Sequence, residues 1–173
     1  MSLIKKSNEL VIPTTVKMMI YGQAGMGKST VALSAPKPLL LDFDNGVKRM
    51  NMAHLENIDT VQVTSWSDVQ QVLQEDLSAY QTIVVDTIGK MMDFIITHKC
   101  GTRQPSIRDW SGINAEFSWM TRTLSGLNKH IIFVALPIAT QEKKVMIRCL
   151  SLPCVKNPTT LSLLNWICSV ILK

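Results

Sequence analysis

Between Met18 and Ala35 the chain reads MMIYGQAGMGKSTVALSA, and Gly22–Ser29 fits the pattern G-x-x-x-x-G-K-[ST]. No other feature constrains the fold as much. Glycines let a loop curl until several backbone N–H groups point inward. A helix opening at the end of such a loop adds the positive end of its dipole. The pattern therefore needs a strand before it and a helix after it. Both are expected here: Val16–Tyr21 is a short apolar run, and Lys28–Ala35 reads as a helix stopped by Pro36. The loop residues Gly22, Gln23, Ala24, Gly25, Met26 and Gly27, with Lys28, Ser29 and Thr30 at the helix start, form the expected nucleotide-binding segment. Lys28 is placed to reach β- and γ-phosphates, and Ser29 to offer its hydroxyl to Mg²⁺. Lys28 is expected to face solvent and to carry little core packing.

The rest of the chain to Ala135 alternates strand with helix. PLLLDFDNG reads as a buried strand closed by the turn pair Asn45-Gly46, and TVQVTSW as a third strand. Ser65 and Asp68 have the spacing of a capping box, with Val69, Val72 and Leu73 at helical intervals behind them. TIVVDT is apolar on both faces, as central parallel strands are. Ile88–His98 reads as a helix, and Thr102–Asp109 as a polar loop. Ile113, Phe117, Met120, Leu124 and Leu127 mark one face of a further helix, and HIIFVA is a last strand. This alternation predicts a three-layer α/β/α fold with a mainly parallel sheet.

A phosphate loop needs a carboxylate for magnesium at the end of a neighbouring strand. Asp86, closing Ile83-Val84-Val85, fits that position. Hydrolysis also needs a group to orient or deprotonate water. Asp44 is one candidate, with Asp42 behind it; alternation along a strand puts both acids on one face. Asp44 is equally readable as turn chemistry before Asn45-Gly46. Lys28, Asp44 and Asp86 are thus the candidate catalytic set, and Ser29 and Asp86 the candidate metal ligands.

Composition limits the alternatives. The chain has 173 residues, 46% hydrophobic and 18% charged, which suits one globular domain. It shows no signal-peptide-like run and no stretch of membrane-spanning length, so a cytoplasmic location without membrane contact and with reduced thiols is expected. The net charge of +5 invites a nucleic-acid reading. Its distribution weakens that: residues 1–135 hold 13 Lys+Arg against 12 Asp+Glu, a net of only +1. Trp119, beside the Phe117/Met120 stripe, is expected in the core, Arg103 and Arg108 as solvated loop charges, and His98 with Cys100 as a helix end.

The segments MMIYGQAGMGKST, PLLLDFDNGVKR, TSWSDVQQVL, YQTIVVDTIGKMMDFI and NKHIIFVA together resemble RecA-like P-loop ATPases encoded by phages and prophages, over about residues 14–135. Some members of that family are assigned to recombination and single-strand annealing. The resemblance implies a RecA-like P-loop NTPase core over residues 1–135 that binds ATP with Mg²⁺. It carries Gly22, Gly25, Gly27, Lys28 and Ser29 as phosphate binders and Asp86 as the magnesium carboxylate, and it favours Asp44 as the water-activating acid. It implies single-stranded DNA and recombination proteins as partners, and a homo-oligomer as the active form. The family has a polar sensor after its IIFVA strand, where this chain has Leu136-Pro137. Two other classes stay open: a nucleotide-binding regulatory or assembly module without turnover, and a small-molecule P-loop kinase. The kinase class lacks a convincing arginine-bearing lid here.

From about Leu136 the pattern changes. Residues 136–173 hold 5 Lys+Arg against the single acid Glu142, and three of the chain's four cysteines. We expect residues 136–173 to be an atypical tail, a frame-shifted reading of an ordinary C-terminal segment. Read one base earlier, the codons of Asn165-Trp166-Ile167 force Leu and Asp, and NWICSVI can hide ELDLFGY, a strand typical of the resembled family. Such a chain would lack the sensor and the final sheet strands, and would be a weak or inactive ATPase. The alternative is a divergent, genuine tail.

Overall fold

The computed structural model describes residues 15–49, 55–56 and 58–136, together with the backbone of Met146–Cys149. In chain order the elements are β1 (Lys17–Tyr21), α1 (Lys28–Leu33), β2 (Pro38–Asp42), a 3₁₀ turn (Gly46–Arg49), β3 (Asp59–Gln62), α2 (Trp66–Val72), β4 (Thr82–Asp86), α3 (Ile88–Cys100), α4 (Asp109–Gly126), β5 (His130–Ala135) and β6 (Met146–Cys149). The sheet order is β3-β2-β4-β5-β1-β6. The first five strands are parallel, and β6 lies antiparallel beside β1 at the edge. The mainly parallel α/β sheet with flanking helices is the architecture that the alternation predicts.

Side-chain alternation sorts the strands into two faces. Met19, Leu39, Leu41, Ile83, Val85, Ile131 and Phe133 join one large core with α2, α3 and α4. Ile20, Leu40, Val84, Ile132 and Val134 meet Ala32 and Leu33 of α1 on the other side. Central strands buried on both faces have few positions for polar residues, and β4 uses its last one for Asp86. That acid continues the alternation of Thr82 and Val84, so it lies on the α1 side of the sheet. In register beside it on β2 is Asp42.

Local chemistry explains the helices. Ser65 and Asp68 form the expected capping box at α2: the Asp68 carboxylate accepts from the backbone N–H of Ser65 at 2.8 Å. The Ser65 and Thr64 hydroxyls and both backbone N–H groups hold the Asp68 carboxyl well below the usual carboxylate range. Thr87 caps α3 by accepting from the Lys90 N–H at 3.4 Å. Along α4, Ile113, Phe117, Met120 and Leu124 are fully buried, as their spacing requires. Leu127 follows the helix as its cap and is partly buried.

Four details differ from the sequence reading. Trp119 is 41% exposed, not core. Two residues past Phe117 is about 200° around a helix, which turns its indole off the buried stripe. Arg103 is exposed in the loop, as expected, but it is paired: it grips Asp109 with both terminal nitrogens, at 2.6 and 2.8 Å, and the Ser106 N–H and hydroxyl donate to the same carboxylate. The helix after the glycine loop ends at Leu33, with Ser34 as its cap, before Ala35 is reached. Finally, β6 is a strand beyond Ala135, where the sequence reading ends its strands. The other residues of the frame-shift reading, from Pro137 onward, lie outside the described residues.

Candidate functional site

The glycine loop begins where β1 ends. Gly22 is buried at the sheet edge of the loop, while Ala24, Gly25, Met26 and Gly27 are exposed and Gln23 is half-buried. Gly25 and Gly27 have φ of 78° and 77°, in the left-handed region. A Cβ at either would meet open space, so glycine is needed for backbone conformation and not for room. Gly27 is the N-cap of α1, and its carbonyl accepts from the Val31 N–H at 2.9 Å.

Lys28 and Ser29 open α1. Contrary to the expectation of a solvent-facing side chain, Lys28 is only 6% exposed. Its ammonium folds back across the loop and donates to the Gln23 carbonyl at 2.7 Å, bracing the curl from inside. Burial lowers the Lys28 pKa, and the charges of Asp86 and Asp44 oppose that shift. The Ser29 hydroxyl donates to Asp86 Oδ2. One hydrogen bond thus ties the helix after the glycine loop to the end of β4, across 57 residues of sequence. Thr30 points outward and is exposed.

The acids differ in their surroundings. Asp86 is buried, and burial is the largest cause of its raised pKa. Asp44 and Asp42 push it further up, while the Ser29 hydroxyl and the Lys28 charge pull it down. Asp42 is also buried, but it is spent on the turn: its carboxylate accepts from the N–H groups of Gly46 at 3.0 Å and Val47 at 3.3 Å. Phe43 joins the same cluster as Leu39 and Leu41, so the alternation continues past the strand and both acids lie off that cluster. Asp44 is half-buried, and its charge acts on Lys28, Asp86 and Lys90. Asp42 thus takes part in the turn chemistry that the sequence left open for Asp44.

The structure therefore brings together Lys28, Ser29, Asp86 and Asp44, with Asp42 alongside as the turn anchor. A serine hydroxyl joined to a buried carboxylate is a pair of hard oxygen donors, the type Mg²⁺ prefers. A buried carboxylate crowded by two other acids is an unfavourable arrangement that a divalent cation would relieve. The donor set fits a magnesium ion.

This geometry is a strand, a glycine loop, a helix bearing Lys-Ser and a carboxylate on a nearby parallel strand. Residues 14–145 match the family described as AAA domain. The chain belongs to that family. The match includes the whole sheet up to β5 and passes the boundary at Leu136. Domains of this kind bind ATP with Mg²⁺. The AAA domain here is also similar to the SPbeta prophage-derived uncharacterized protein YorG of Bacillus subtilis (strain 168). The two are 24% identical over 140 residues, which covers 72% of this chain and 41% of that protein. The chain thus spans about two-fifths of the relative's length. Among the described residues, no helix is long and apolar enough to cross a membrane.

One residue beside the site was missed by sequence reasoning. Lys90, in the first turn of α3, has its pKa raised by Asp93 and, more weakly, by Asp44. The available signal was its position four residues after Asp86, on the helix that leaves the site.

Proposed function

We propose that this AAA domain binds MgATP above the C-terminal ends of β1, β2 and β4 and hydrolyses it. The observation that carries the reading is the Ser29–Asp86 hydrogen bond beneath a glycine loop whose lysine is folded inside. In this reading the backbone of Gly22, Gln23, Ala24, Gly25, Met26 and Gly27, with Thr30 at the helix start, cradles the phosphates. Lys28 exchanges the Gln23 carbonyl for phosphate oxygens. Ser29 and Asp86 would hold Mg²⁺, which would supply charge neutralisation on the phosphates. Asp44 orients the attacking water and takes its proton. Its charge already acts on Lys28 and Asp86, so it borders the region where phosphate would lie.

The biological role we infer is DNA recombination or repair in a phage- or prophage-derived system. Single-stranded DNA and recombination proteins would be its partners, a homo-oligomer its active form and the cytoplasm its location. The prophage origin of a relative supports this, as does the resemblance noted from the sequence. Steady-state ATP hydrolysis measured with and without single-stranded DNA tests it. Stimulation by DNA is the expected result; DNA-independent turnover would rule out the recombination role and leave the ATPase. A second reading, a nucleotide-binding module that does not turn over, draws support from Leu136. This apolar residue is 48% exposed directly after β5, where the resembled ATPases place a polar sensor. Tight MgATP binding with no phosphate release would establish that alternative.

A further inference from the structure

The Lys90–Asp93 pair lies on the first turns of α3, outside the set just described, and its surroundings tie it to that set. Thr87 fixes the backbone at Lys90 through the cap bond. Phe94, one turn further along the same face of α3, packs edge-on against Phe43, with ring centroids 5.7 Å apart at 65°. The Phe43 N–H donates to the Asp86 carbonyl at 2.8 Å, so the chain at Phe43-Asp44 is held between β4 and this face of α3. Long side chains on a helix lean toward its N-terminus. For Lys90 that direction leads back toward the C-terminal ends of the strands, where the glycine loop and Asp44 lie. Asp44 accordingly acts on two lysines, Lys28 from the loop and Lys90 from the helix.

The present partner of Lys90 holds it weakly. Its ammonium is 2.9 Å from Asp93, but the side chains are 56% and 60% exposed. Exposed pairs of this kind are screened by solvent and easily exchanged. The triphosphate of MgATP, which keeps about two negative charges with its metal bound, is a stronger attractor than one solvated carboxylate.

We propose that Lys90 is a second phosphate-directed cation of the site, leaving Asp93 for the terminal phosphate of a bound nucleoside triphosphate. The assignment rests on the MgATP reading above and deepens it. Lys28 serves any bound polyphosphate, whereas Lys90, paired with Asp93 at rest, gains a phosphate partner only when a third phosphate is present. Lys90 thereby sets the preference for triphosphate over diphosphate and steadies the region where Asp44 would act.

The test is the ratio of ATP to ADP affinity, measured by calorimetry with Mg²⁺ on the full chain. Lys90→Met keeps the stem and removes the charge, and at so exposed a site it should leave the melting temperature nearly unchanged. The expected result is a loss of about tenfold in ATP affinity, the size of one charge-assisted hydrogen bond, with ADP affinity kept within about twofold. Lys90→Arg should restore most of the preference. Asp93→Asn, which frees Lys90 from its resting partner, should hold or tighten ATP binding. If Lys90→Met binds ATP and ADP as the wild type does, Lys90 is only a surface pair and the proposal fails while the MgATP reading stands. If Lys90→Met weakens ATP and ADP equally, the triphosphate-specific role is overturned. If the wild type binds neither nucleotide, both readings fall together.

Discussion

Asp42 and Asp44, separated by one residue, show how burial and hydrogen bonding divide labour between identical side chains. Asp42 accepts two backbone N–H groups and is nearly inaccessible, so its loss leaves two partly buried donors without this acceptor. Asp42→Ala should therefore cost roughly 1–3 kcal/mol of stability. Asp44→Asn should change stability little and slow ATP hydrolysis by about a hundredfold or more, the scale of a lost general base. Urea unfolding of both variants beside a phosphate-release assay checks the division; full turnover in Asp44→Asn would remove Asp44 from the mechanism. Asp86 offers a third outcome. Its raised pKa means that folding costs more once the carboxylate is ionised, a cost that sets in as pH rises above the usual aspartate value. Asp86→Asn should thus lose magnesium-dependent activity while melting no lower than the wild type at neutral pH, as thermal scans would show. The sequence made both acids and Asp86 visible because strand alternation and the glycine pattern are local. It could not say that Asp42 would anchor the turn, because that depends on where the Gly46 and Val47 N–H groups point.

At the scale of elements, the order of strands and helices was legible almost throughout, since buried parallel strands are uninterrupted apolar runs and α4 carries a clean stripe. The joint between helices was not. Glu116 of α4 accepts from the buried Trp66 indole N–H at 2.8 Å and from Gln70 at 3.2 Å, both on α2, and pairs with Lys99 of α3 at 2.7 Å. Residues 46 and 50 positions apart have no periodicity to betray them. Burial alone would raise the Glu116 pKa, but the contacts with Lys99, Trp66 and Gln70 outweigh it and the net shift is downward. A depressed carboxylate stabilises the fold above its unfolded pKa, about 4.3 for glutamate, and loses that contribution as pH falls through its folded value. Glu116→Ala should cost roughly 1–3 kcal/mol at neutral pH, because the indole N–H is left unpaired. The gap from wild type should narrow as pH drops from about 6 to about 3, as denaturant unfolding at a series of pH values would show; a gap independent of pH would mean that Glu116 acts by packing alone. The edge strand β6 was also missed, because four residues beyond a break in pattern carry little signal.

At the scale of the whole molecule, most of the net charge of +5 lies in residues 136–173, and residues 1–135 are close to neutral. Thirteen basic and twelve acidic residues produce little attraction for a phosphate backbone. Single-stranded DNA binding by residues 1–135 alone should then be weak without nucleotide and strengthen with MgATP, through assembly of copies. Fluorescence anisotropy at two salt concentrations checks this, and tight, salt-sensitive binding without nucleotide would contradict it. The tail from about Leu136 remains a separate proposal, a frame-shifted segment inferred from codon constraints. Its coding DNA decides it: stop codons in the shifted frame before Lys173 would end that reading.

The central claim is that the loop from Gly22 to Ser29 holds the phosphates of MgATP through Lys28. Calorimetric titration of ATP, at fixed excess magnesium, into the wild type and Lys28→Ala tests it most directly. The lysine braces its own loop through Gln23, so its loss should cost about 1 kcal/mol of stability and leave the fold standing. The predicted result is saturable ATP binding by the wild type and none detectable in a folded Lys28→Ala. Equal affinity in the two proteins would contradict the account.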